Sequence, residues 1–160
     1  MMKTLLLGYG NVDRQDDGVA WHILRAVAEH YQVRLPAWPE ETLYGITPDI
    51  SGCFTLQLTP EIAELIATYP RVIFIDAHTG NVDQPVAMVE IQPAFQSSPF
   101  THHLTPQTCL ALAQSLFGSA PQAFLVSVRG YEFGFSRDLS PTTAKLAATA
   151  ADEIVEQLDQ

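Results

Sequence analysis

A three-layer α/β/α fold, with a twisted, mostly parallel sheet of about five strands covered by helices on both faces, is predicted by three observations. Lys3 to Leu7 (KTLLL) and Arg71 to Ile75 (RVIFI) are short continuous apolar runs. That pattern belongs to strands buried on both faces, whereas a strand with one wet face alternates. Segments of helical periodicity fall between the strand candidates. The stretch LLLGYGNVDRQDDGVAW passes from an apolar strand through a Gly-x-Gly turn to the start of a helix.

Taken in order, the first helix is expected from about Gly18 to His30, with Val19, Ile23, Ala26 and Val27 on its inner face. Between Leu35 and Gly52 the pattern lapses, interrupted by Pro36, Pro39, Gly45 and Pro48. Residues 35–52 therefore read as an irregular excursion or lid within a single domain spanning 1–160. Phe54 to Leu58 (FTLQL), Val86 to Ile91 (VAMVEI) and Ala123 to Val128 (AFLVSV) supply the remaining strands. Three later helices are expected at Thr59-Pro60, Thr105-Pro106 and Ser140-Pro141. In each pair the hydroxyl can cap a free backbone N–H, and proline at the first helical position has no N–H to leave unsatisfied. Apolar sets on one helical face follow each cap: Ile62, Leu65 and Ile66; Leu110, Ala113, Leu116 and Phe117; Leu146, Ala147, Ala150, Ile154 and Leu158.

Composition narrows the function. A chain of 160 residues with 47% hydrophobic side chains is the size of one domain with its own core. Its 18 acidic and 8 basic residues leave a net charge of −10, which excludes bulk electrostatic binding of nucleic acid or anionic membrane. No window reaches the roughly 18 uninterrupted apolar residues of a membrane span, and Met1 to Gly10 runs into a core strand without a cleavage pattern. A cytoplasmic protein is expected. Cys53 and Cys109 lack CxxC spacing and read as buried thiols, not as a zinc knuckle or a disulfide framework.

Ligands of open α/β sheets collect at the carboxyl ends of strands. Three such positions carry chemistry here. Asp17 follows the first strand through its glycine turn, Asp76 ends the RVIFI strand, and His102-His103 precedes the Thr105 cap. Acids at a helix start are commonly caps, but only one of Asp16 and Asp17 can fill that place. Asp16 suits it better, which leaves Asp17 to face the cleft. Two carboxylates and an imidazole suit a divalent metal such as zinc, nickel or copper. The GYG turn is no dinucleotide site, because the third glycine position holds Asp13 and a phosphate would meet Asp13, Asp16 and Asp17. A flavodoxin-like nucleotide-binding domain is disfavoured on the same ground. There is no GxSxG elbow, HExxH helix or GxxxxGK[ST] loop.

With these residues in view, the chain resembles the nickel-iron hydrogenase maturation endopeptidases. The resemblance rests on LLLGYGNVDRQDDGV, on FIDA at the strand end, on THHLTPQTCLALAQSLFG and on Asp138-Leu139-Ser140-Pro141, and so runs along nearly the whole chain. It implies an endopeptidase that removes the C-terminal extension of a nickel-iron hydrogenase large-subunit precursor after nickel insertion, recognising nickel that the precursor supplies. It implies that Asp17, Asp76 and His102 form the catalytic and metal-binding set, with His103 the competing histidine, and that the protein works as a monomer. One motif departs. Where the family has a glycine-rich turn and threonine after the second strand, this chain reads Gln57-Leu58-Thr59-Pro60-Glu61, so contacts to the substrate tail are expected to differ. The competing reading is a non-enzymatic nickel-binding or metallochaperone module on the same fold.

Overall fold

The computed structural model describes residues 1–97 and 103–160. The described strands are β1 (Thr4–Tyr9), β2 (Leu43–Thr47), β3 (Ile50–Thr55), β4 (Arg71–His78), β5 (Val86–Ile91) and β6 (Gln122–Arg129). They form one sheet in the order β2-β3-β1-β4-β6-β5. The four strands at its centre run parallel, while β2 and β5 pair antiparallel at the two edges. Helices α1 (Val19–His30) and α4 (Pro141–Leu158) pack together over one face, and α2 (Ile62–Ile66) and α3 (Pro106–Phe117) over the other. The three-layer, mostly parallel architecture expected from the sequence is the one observed. No described helix is long and apolar enough to cross a membrane.

Side chains alternate between the two cores, which is why the central strands carry no polar beat. On β1, Leu6 enters the core beneath α1 and α4, while Leu5 and Leu7 enter the core beneath α2 and α3. On β4, Ile73 and Ile75 take the first core and Val72 and Phe74 the second. Each such burial is worth about 1.5–3 kcal/mol relative to exposure.

Two of the three hydroxyl-proline starts cap as expected. The hydroxyl oxygen of Thr105 accepts from the Thr108 N–H at 3.1 Å, and that of Ser140 accepts from the Thr143 N–H at 3.4 Å. Thr59-Pro60 does not. Helix α2 starts two residues after Pro60, without a side-chain cap, and the Thr59 hydroxyl turns to the Glu61 carboxylate instead. With five residues, α2 is a single turn held by its buried face of Ile62, Ala63 and Ile66.

The excursion at 35–52 is also corrected, because it contains β2 and the first residues of β3, joined as a hairpin. The third strand thus runs Ile50–Thr55, starting four residues before FTLQL and ending three before its end. Strand β2 is an edge strand with a register shift between Gly45 and Thr47. Only Tyr44 and Ile46 of it reach the core, so its signal is weak in a stretch full of prolines. The strand expected to stop at Asp76 continues through Ala77 to His78, paired with β6 throughout.

Candidate functional site

Strand β1 sits between β3 and β4. From the carboxyl end of β1 the chain leaves through α1 over one face towards β3, and from that of β4 it leaves through β5 and then α3 over the other face towards β6. The two departures run opposite ways across the sheet, which is where such sheets leave a crevice. A cleft of about 670 Å³ opens there, with Tyr9 at the end of β1, Asp17, Asp76 and the Leu56–Leu58 turn among its walls. His103 and Leu104, leading into α3, close another side.

Asp17 is held by the turn that precedes it. The Asn11 N–H donates to Oδ2 of Asp17 at 2.8 Å, and Oδ1 of Asn11 accepts from the Asp13 N–H at 2.9 Å. Asn11 thus pins the turn through its side-chain oxygen, an Asx-type arrangement. Gly10 has a φ of 142°, and a Cβ there would collide with the Asp17 carbonyl oxygen. Only glycine lets the chain double back so tightly.

Asp76 lies half-buried at the cleft wall. Burial pushes its carboxyl up to about 7, the charge of Asp17 adds to the rise, and hydrogen bonds from the Tyr9 hydroxyl and the Ala77 N–H oppose it. Tyr9 answers in kind. Its own burial, with the adjacent Asp76 carboxylate, raises the phenol well above its ordinary range. The structure therefore brings Asp17 and Asp76 to one cleft and adds Tyr9, which no motif in the sequence singles out. The available signal was its place between Gly8 and Gly10, at the strand end where ligands collect.

The role given to Asp16 is corrected. Helix α1 takes Gly18 as its N-cap residue, with no side-chain cap. Asp16, fully buried, instead ties down the segment between β6 and α4. Its Oδ2 accepts from the N–H groups of Tyr131 at 2.8 Å and Glu132 at 3.0 Å, and from the hydroxyls of Ser140 at 2.7 Å and Thr143 at 3.0 Å. Its Oδ1 accepts the Ser140 N–H at 2.8 Å. Burial alone would raise this carboxyl, but the bonds from Ser140, Tyr131 and Glu132 outweigh it and hold the group below the ordinary carboxylate range. The partners of Asp16 lie more than a hundred positions away in sequence, beyond any local pattern.

His102 lies outside the described residues. His103 is exposed and lines the cleft. Among the described residues, no three His, Cys, Asp or Glu side chains gather closely enough to hold a metal ion. The arrangement on view is two carboxylates and a phenol facing an apolar-walled cleft with a histidine at its mouth. Such a set can donate oxygen ligands to a cation or activate a water. Cys53 and Cys109 are free and buried, their thiols pushed up to about 11 and about 12 by desolvation, so they pack as apolar groups.

No protein-family model matches the sequence, and no curated protein matches it. Solved structures do. The hydrogenase maturating endopeptidase HybD from E. coli superposes with a TM-score of 0.69 at 19% identity, covering 99% of this chain and 93% of its own. A [NiFe] hydrogenase maturation protease, HycI from Thermococcus kodakarensis, gives 0.65 at 18% identity, over 99% and 94%. A hydrogenase 2 maturation peptidase from a Thaumarchaeota archaeon gives 0.63 at 20% identity, over 98% of each chain. The chain has the fold of these proteases from end to end.

Proposed function

We propose that this protein is the processing endopeptidase of a nickel-iron hydrogenase, cutting the C-terminal extension from the large-subunit precursor once nickel is in place. The observation that carries the reading is the convergence of Asp17 and Asp76 on one cleft at the sheet's switch point. The end-to-end likeness in fold to hydrogenase maturation proteases supports it.

Nickel enters as part of the substrate. Asp17, Asp76 and His102 are the proposed contacts, with His103 the alternative for the imidazole. Asp17 spends one oxygen on the Asn11 N–H, and among the described residues the other has no hydrogen-bond partner. Asp76, with its carboxyl near 7, carries a proton for much of the time at neutral pH. An arriving dication displaces that proton and converts Asp76 into an oxygen donor. Cleavage is thereby tied to metal loading. The bound metal anchors the precursor tail across the cleft, where either the metal polarises the scissile carbonyl or a carboxylate activates the attacking water.

The test is trimming of nickel-loaded and nickel-free precursor by the purified protein, followed by mass. The loaded form alone should be shortened, and equal trimming of both would remove nickel recognition from the reading. Asp17→Asn and Asp76→Asn should each slow trimming by about 10²- to 10⁴-fold. Separate His102→Ala and His103→Ala variants assign the imidazole. A non-enzymatic nickel carrier on the same fold would instead trim neither precursor and would bind free nickel tightly in calorimetry.

A further inference from the structure

A second hollow, of about 300 Å³, opens off the cleft and shares Gly10 and Leu56 with it. Val12, Trp38, Pro39 and Phe54 complete its apolar lining. The two charged groups at its rim, Asp13 and Arg137, answer each other at 2.7 Å, and the Arg137 guanidinium lies over the Trp38 ring, 4.9 Å from its centre. The hollow therefore offers no unpaired charge to a ligand. Its far wall is held in place before anything binds. Trp21 donates from its indole nitrogen to the Ala37 carbonyl at 2.9 Å, and the Tyr44 hydroxyl accepts the N–H groups of Glu40 at 2.8 Å and Glu41 at 2.6 Å.

We infer that this hollow is a specificity subsite that takes one large aliphatic or aromatic side chain from the C-terminal extension of the substrate. The inference rests on the processing reading above. An extended peptide crossing the carboxylates passes Gly10 and Leu56, which wall both hollows, and its alternate side chains point the same way, so that one of them can enter the recess.

The experiment is steady-state trimming of nickel-loaded precursor by the wild type, Trp38→Ala and Pro39→Ala, both at half-buried positions outside helix and strand that line the hollow and not the cleft. Each variant should raise KM about tenfold with kcat within about twofold, as expected for emptying one apolar pocket. A precursor whose extension has its large apolar residues replaced by alanine should show the same KM rise with the wild type, and no further rise with Trp38→Ala. Wild-type KM in both variants, or effects that multiply between enzyme and extension, would overturn the subsite while leaving the processing activity intact. A wild type that trims no precursor at all is a different result, and it would overturn the processing reading and the subsite together.

Discussion

At the scale of single residues, Asp76 ties site chemistry to pH. Its carboxyl is pushed up to about 7 by burial, so the folded protein holds a proton there that the unfolded chain releases near its ordinary value. Stability should therefore fall as pH rises from about 4 to about 7, then level off once the folded carboxyl is also ionised. Asp76→Asn keeps the shape and loses the charge. Metal-free Asp76→Asn should gain on the wild type through that window, by up to about 4 kcal/mol at pH 8. Urea unfolding at pH 5 and pH 8 checks this, and a constant difference between the two proteins would contradict it. Asp16 behaves in the opposite sense. Its carboxyl is held low, so its contribution is present at neutral pH and is lost only as acid protonates it.

Among the elements, the 10–17 turn and the segment between β6 and α4 behave as one piece. The Gln15 N–H donates to the Ser136 carbonyl at 2.8 Å, the Asp16 N–H donates to the Glu132 carbonyl at 3.1 Å, and the Asp16 carboxylate accepts the bonds described above. Asp16→Ala would take their acceptor from the buried Ser140 N–H and hydroxyl, from the buried Thr143 hydroxyl and from the Tyr131 and Glu132 N–H groups, so a loss of about 3 kcal/mol is expected in denaturant unfolding. Gly10→Ala makes a sharper demand. It should abolish trimming because the Asp17 carbonyl must move, and wild-type trimming rates would refute the account of the turn. This level also shows what a sequence can reveal. The caps at Thr105 and Ser140 and the runs at β1 and β4 were legible because each depends on its own few residues. Strand β2 was not, since an edge strand with two core contacts beside several prolines carries little pattern. The carboxylates Asp17 and Asp76 were legible as candidates because both follow from strand ends. Tyr9 and the true duty of Asp16 were not, because their meaning comes from residues that only folding brings near.

For the whole molecule, the net charge of −10 sets how the domain responds to solution conditions. Self-repulsion at low ionic strength opposes the compact state and is screened as salt is added. Raising sodium chloride from about 20 mM to about 300 mM should lift the melting temperature by a few degrees. An unchanged or falling melting temperature would show that local pairs such as Arg137 with Asp13 outweigh the net charge. The buried Arg71 guanidinium works at this scale too. It donates to Thr4 at the foot of β1 and to the carbonyls of Gln157 and Leu158 at the end of α4, fastening the last helix to the first strand.

The Asp16 network has a consequence for synthesis on the ribosome. The loop that aims Asp17 is made more than a hundred residues before its anchors, Tyr131 to Thr143. An N-terminal fragment can carry both carboxylates and still lack the frame that orients one of them. The cleft therefore matures only once Tyr131 to Thr143 have been made, a long-range closure of the kind that slows folding. On the processing reading proposed above, a chain cut short before Tyr131 should thus show no trimming.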